Sequence, residues 1–145
     1  MGAYVLAKSS AIIEYLINHS GEFIYSTFLT PAQAGAASAA VEILQESRQK
    51  RTSLRDKAVT FRRELNRSGW KTNNFDSPII PILVGDIQRT LDLRDHLLEK
   101  GIFAGAVRPP TVPKGTSRIR LSLHSELEED QLSNLLILLN QWKTH

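Results

Sequence analysis

The sequence predicts an α+β fold: a few-stranded sheet covered by helices on one face, with a helical segment before it. Three observations carry that prediction. Leu54, Ala58, Phe61 and Leu65 recur at i, i+4, i+7 and i+11 with charged residues between them, the spacing of an amphipathic helix. Ile119, Leu121 and Leu123 alternate with Arg118, Arg120 and Ser122, the period of a half-buried strand. From Ser77 onward the order reads strand, helix, strand, turn-rich loop, strand, helix.

Taken in order, residues 2–7 read as a short strand, and Ile12, Ile13, Leu16 and Ile17 put a helix over residues 9–19, stopped by a turn at Ser20 and Gly21. Phe23, Ile24 and Tyr25 are β-formers and are expected to be extended. Thr30 can cap a helix that has Pro31 at its first position, where a missing N–H costs nothing. The small residues that follow allow close approach to a neighbouring backbone. The helices over residues 31–67 are either continuous or broken near Ser47, and Gly69 ends them.

Residues 79–84 form an apolar strand closed by Gly85 and Asp86, and Pro81, which lacks a donor, argues for an edge or a bulge. Residues 91–100 read as a helix with Gly101 in a left-handed cap, and residues 102–107 as a second strand. The loop over residues 108–117 holds three prolines and a glycine. Ser125 and Glu128 form a capping box for the last helix, whose inner face is Leu132, Leu135, Leu136, Leu139 and Trp142. The expected divisions are 1–30, 31–74 (linking helices) and 75–145 (a small C-terminal α/β domain).

Composition excludes several functions. The 145 residues contain no cysteine, which removes disulfides, thiolate metal centres and thiol nucleophiles. No apolar run approaches the roughly 20 residues of a spanning helix, and no signal-peptide pattern opens the chain, so it reads as soluble and cytoplasmic with no membrane partner. A net charge of +3 does not imply a nucleic-acid partner. The basic cluster Arg48, Lys50, Arg51, Arg55, Lys57, Arg62 and Arg63 has only Phe61 nearby for stacking, and acidic residues dilute it, so it reads as a solvated helix surface. His19, His96, His124 and His145 show no metal-ligand spacing, and no phosphate-cradling glycine loop or nucleophile elbow occurs.

Arg118 and Arg120 stand apart because strand parity gives them a common face. Two adjacent guanidiniums are either surface arginines with ordinary carboxylate partners or a fork aimed at a substrate carboxylate. The loop before them would bring Arg108 and the Thr116 hydroxyl to the strand mouth.

Residues 107–123, Val-Arg-Pro-Pro-Thr-Val-Pro-Lys-Gly-Thr-Ser-Arg-Ile-Arg-Leu-Ser-Leu, resemble the C-terminal motif of the α-oxoamine synthases, fold-type I enzymes dependent on pyridoxal 5′-phosphate (PLP). Residues 24–34, Ile-Tyr-Ser-Thr-Phe-Leu-Thr-Pro-Ala-Gln-Ala, are similar to that family's I-Y-S-T-x-x-P-P-A-Q-A segment, and residues 77–86 to its S-P-I-x-P-x-x-V-G-D strand. Within the family, R-P-P-T-V-P is most similar to the 8-amino-7-oxononanoate synthase branch, which condenses L-alanine with a pimeloyl thioester in biotin biosynthesis.

The resemblance implies that this chain is the C-terminal segment of a PLP-dependent acyltransferase, with residues 1–30 ending the PLP-binding large domain. The Schiff-base lysine would lie upstream of Met1, so no catalytic residue is assigned in this chain; Lys8 follows the strand instead of preceding it, and the isolated chain is expected to be inactive. The resemblance carries over Arg120 as ligand of the substrate carboxylate, with Arg118 its weaker alternative, and Arg108 and Thr111 on a loop that closes over substrate. Ser26 or Thr27 would reach the PLP phosphate of the other subunit, which requires a homodimer. No metal is implied. Leu127 stands where the family commonly has a histidine, and no role passes to His124. Two alternatives remain: a glycine C-acetyltransferase-like or 5-aminolevulinate synthase-like enzyme, and a non-catalytic interaction module of the same fold.

Overall fold

The structure, a computed structural model, describes residues 5–25 and 29–143. It divides into two compact units, Met1–Ser47 and Arg48–His145. Among the described residues no helix is long and apolar enough to cross a membrane.

The first unit holds α1 (Ser10–His19), α2 (Gly21–Ile24) and α3 (Pro31–Glu46). Of the expected strand, residues 2–4 lie outside the described residues, and residues 5–7 are not in a strand. Phe23 and Ile24 are helical instead of extended. The Ile24 and Tyr25 N–H groups donate to the Ser20 and Gly21 carbonyls at 2.9 Å, so local bonds satisfy donors that a strand would have to pair elsewhere. At α3 the expected cap is present and closes in both directions: Thr30 Oγ1 accepts from the Gln33 N–H (3.3 Å), and Gln33 Oε1 accepts from the Thr30 N–H (3.1 Å). No residue of α1, α2 or α3 is buried.

The second unit has a core of its own. It runs α4 (Arg48–Arg67), β1 (Ile79–Gly85), α5 (Ile87–Glu99), β2 (Gly105–Val107), β3 (Ser117–Ser122) and α6 (Glu129–Lys143). The helical run is broken at Ser47, whose N–H closes α3 on the Ile43 carbonyl. The sheet order is β1-β3-β2 with both pairs antiparallel, so β3 is central and β1 lies at an edge. That placement accommodates Pro81, and the pairing slips by a bulge between Leu83 and Gly85. Ile80, Ile82, Ile119 and Leu121 point to one face, where they meet Phe61 and Leu65 of α4, Leu93 and Leu97 of α5, and Leu132, Leu135, Leu138 and Leu139 of α6. Helices therefore cover one face of a three-stranded sheet, as the sequence predicts.

Four local expectations change. The second strand spans only Gly105–Val107, because the Ile102 N–H is drawn back to the Leu97 carbonyl (2.8 Å) as part of the helix end at Gly101. Helix α5 begins four residues early, where Asp86 Oδ1 caps the Arg89 N–H at 2.8 Å. Ser125 does not cap α6: residues 124–127 form a turn closed by the Leu127 N–H on the His124 carbonyl, and Gln131 Oε1 accepts from the Glu128 N–H instead. On α6 itself, Leu138 is buried, whereas Leu136 and Trp142 are only partly buried against the core.

Candidate functional site

The uncovered face of the sheet is where the sequence-predicted arginines stand. Strand parity puts Ser117, Ile119 and Leu121 into the core and leaves Arg118, Arg120 and Ser122 outside. The register then fixes their neighbours. Arg120 sits opposite Pro81 on one side and Gly105 on the other, and Arg118 opposite Leu83 and Val107. A groove of about 560 Å³ opens over this face, walled by Phe75, Ile79, Pro81, Val107 and Val112, with Arg118 and Arg120 as its cations. An apolar wall sharpens the electrostatics, because a charge beside it is less well hydrated and is attracted more strongly to an anion.

The two guanidiniums are not equivalent. Arg118 is half-buried, and its Nε donates to the Thr116 carbonyl at 2.9 Å. Arg120 is exposed and has no hydrogen-bond or ion-pair acceptor among the described residues. Its guanidinium leans toward β2: a Cβ built on Gly105 would meet Arg120 Nε at 3.7 Å and Nη2 at 3.8 Å. Arg120 thus presents a free planar fork on a largely apolar floor, an arrangement suited to a carboxylate.

The loop between β2 and β3 is a series of turns, with the Thr111 N–H on the Arg108 carbonyl (3.1 Å) and Thr116 Oγ1 on the Pro113 carbonyl (2.7 Å). It delivers Val112 to the groove. Arg108 and Thr111 are exposed on the loop and do not line the groove. Ser26 and Thr27 lie outside the described residues. None of the groove's lining residues is a lysine, and no group of three or more His, Asp or Glu among the described residues is placed to hold a metal.

Two members of the basic cluster are not the solvated surface charges expected of them. Arg62 is buried, and donates from Nε to Asn73 Oδ1 (3.1 Å), from Nη2 to the Ser77 carbonyl (2.7 Å) and from Nη1 to the Ala58 carbonyl (3.4 Å). Burial lowers its pKa, and Asp76 partly opposes that shift. Lys57 donates to the Leu127 carbonyl at 2.7 Å and to the Ser125 carbonyl at 3.3 Å. The signal for Arg62 was present in the helical spacing, since it lies four residues after Ala58 on the apolar face. Arg62 matters to the groove because the segment it grips carries Phe75 and Ser77.

The family model for aminotransferase class I and II matches residues 1–137. The 8-amino-7-oxononanoate synthase of Trichlorobacter lovleyi is 42% identical over 133 residues, which cover 90% of this chain and 34% of that protein. The chain therefore spans about a third of the length of the curated relatives it matches. The solved 8-amino-7-oxononanoate synthase of Francisella tularensis superposes with a TM-score of 0.78 at 27% identity, covering 94% of this chain and 40% of that one. A serine palmitoyltransferase variant from S. paucimobilis with a bound PLP–myriocin aldimine superposes with a TM-score of 0.81 over 90% of this chain and 33% of that one; at 22% identity it shows the shared fold alone.

Proposed function

This chain belongs to the aminotransferase class I and II family, and from that premise we propose that it forms the C-terminal third of a PLP-dependent acyltransferase resembling 8-amino-7-oxononanoate synthase. The proposed reaction is the decarboxylative condensation of L-alanine with a pimeloyl thioester, within biotin biosynthesis, by a cytoplasmic homodimer. The relatives' names and the R-P-P-T-V-P loop support that substrate pair over glycine with a short acyl-CoA.

The single observation that carries the reading is the Arg120 fork, without an acceptor among the described residues, on a sheet face whose groove is walled largely by apolar side chains. Its role is to receive the amino-acid carboxylate in a bidentate grip and so fix the orientation of the Cα bonds. Phe75, Ile79 and Pro81 offer the carboxylate an apolar flank. Arg118, tethered to the Thr116 carbonyl, adds positive potential without the same freedom to reach. Arg108 and Thr111, exposed on the proline loop, are proposed to close over substrate.

The groove offers an arginine fork for the substrate's carboxylate and no lysine for the cofactor's aldehyde. The proposal assigns the Schiff-base lysine to the sequence preceding this segment, and assigns Ser26 or Thr27 to the PLP phosphate of the other subunit. The 145-residue chain alone is accordingly expected to be inactive, and borohydride treatment with one equivalent of PLP is expected to spread label over exposed lysines without fixing the cofactor selectively onto any one of them.

The test is a chimera in which this chain replaces the matching third of the Trichlorobacter lovleyi synthase. Product is expected from L-alanine and a pimeloyl thioester, with little from glycine and acetyl-CoA. Two charge-assisted hydrogen bonds worth about 1.5 kcal/mol each set the expected loss in Arg120→Ala at about 10²-fold in kcat/KM for the amino acid. A fully active Arg120→Ala chimera would overturn the assignment.

A further inference from the structure

Arg120 is flanked by two residues of opposite character, and this decides which way its side chain lies. On the β1 side stands the rigid ring of Pro81, and on the β2 side Gly105, which has no side chain. The guanidinium borders the space a side chain at 105 would claim: an added Cβ would stand 3.7 Å from Nε and 3.8 Å from both Cβ and Nη2 of Arg120. Those are ordinary van der Waals distances, so a methyl group fits. A further carbon does not fit as easily, because a branched side chain carries two methyls about 1.5 Å beyond Cβ and has little freedom at χ1.

We propose that Gly105 is a positioning residue for the amino-acid substrate: by leaving the β2 side of Arg120 open, it lets the guanidinium lie across β2 and sets the angle at which the fork meets a carboxylate. The inference rests on the reading of Arg120 as the carboxylate ligand and adds to it that the size of residue 105 tunes the grip. Filling the space turns the fork toward Pro81 and over the groove, and a carboxylate held at the wrong angle presents its Cα substituents wrongly to the rest of the site. Displacements of about 1 Å at a reacting centre can cost on the order of 10²-fold in rate. Gly105 does not adopt a left-handed backbone conformation, so replacement adds volume without adding backbone strain.

The experiment has two arms. In the 145-residue chain with labelled arginine, NMR cross-relaxation is expected between the Arg120 Hδ and Hε protons and the Gly105 Hα protons. Its absence would overturn the proposal whether or not the chimera is active. In the chimera, Gly105→Ala is expected to stay within about twofold of the parent. Gly105→Val is expected to lower kcat/KM for L-alanine about tenfold or more with KM for the thioester unchanged, while the melting temperature of the chain carrying the same substitution holds. A merely structural role would lower the melting temperature and both substrates' parameters together. Arg120→Ala separates the two levels: if it is inactive while Gly105→Val keeps the parent kcat/KM for L-alanine, only the positioning inference falls, and if it is fully active both fall.

Discussion

Replacing Arg62 with alanine removes the buried guanidinium that holds the segment before β1 to α4. Two of its three hydrogen bonds are short enough to count fully, 3.1 Å to Asn73 Oδ1 and 2.7 Å to the Ser77 carbonyl; the third, 3.4 Å to the Ala58 carbonyl, contributes little. Hydrogen bonds to a charged group are worth about 1.5–3 kcal/mol each. Water can reach the half-buried acceptors once the side chain is gone and recovers part of that. The lost desolvation cost of the cation, seen in its lowered pKa, offsets a further part. A net loss of about 2–4 kcal/mol remains, which in a domain of this size lowers the melting temperature by roughly 10–25 °C. Urea unfolding of the chain followed by Trp70 and Trp142 fluorescence measures it. Arg62→Lys should recover part of the loss, because an ammonium group cannot fork to Asn73 and Ser77 together. Arg63→Ala, at an exposed position, should stay within about 0.5 kcal/mol. If Arg62→Ala is no worse than Arg63→Ala, the guanidinium does not hold the segment and the groove's Phe75 wall is not anchored through it.

Leu139 is fully buried and Ile137 is half exposed on the same helix; Leu139→Ala is expected to cost about 2–5 kcal/mol in the same unfolding assay, and Ile137→Ala under about 0.5 kcal/mol. Thr30→Ala breaks the reciprocal cap of α3, a local loss of about 1 kcal/mol. Because α3 buries no residue in the described structure, this should appear as faster amide exchange at Gln33 and Ala34, with the main unfolding transition unmoved. The Glu126 pKa is lowered from its ordinary 4.5, first by the Ser125 hydroxyl and then by Lys50. Since the folded-state pKa is the lower one, the contribution is full above about 4.5 and is lost as pH falls through the folded value. Glu126→Gln should flatten that part of the stability–pH curve, and added salt should shrink it, because the pair is exposed.

The sheet and its covering helices were legible because their patterns are set by burial on a single face. Period two over residues 119–123 and the i, i+4, i+7 spacing of α4 each name a core side, and the structure puts those sides together. What was not legible depended on competition for backbone groups. Phe23 and Ile24 have β-forming side chains, yet the Ser20 and Gly21 carbonyls take up the donors that follow and wind the segment into a turn of helix. Ile102 is apolar and β-branched, but its N–H goes to Leu97, which leaves β2 three residues long. The candidate capping box at Ser125 lost to a turn whose carbonyls at Ser125 and Leu127 are held by Lys57, about 70 positions away in sequence. Pattern reading sees side-chain character along the chain. It does not see which carbonyl is nearest in space.

Arg118 and Arg120 make the same point at the site. They are the same residue type on the same face of the same strand, and parity alone treats them alike. They differ because the chain reaches Arg118 through a turn that leaves the Thr116 carbonyl 2.9 Å from its Nε, whereas Arg120, two residues further on, lies between a proline ring and a glycine, neither of which offers it a side-chain acceptor. A guanidinium already bonded to a carbonyl must give up part of that bond to turn toward a ligand. A free one keeps both arms of its fork available. The proposed preference for Arg120 over Arg118 as the carboxylate ligand, first implied by resemblance, therefore turns on a difference in acceptors that depends on the pairing of three strands and on no single stretch of sequence.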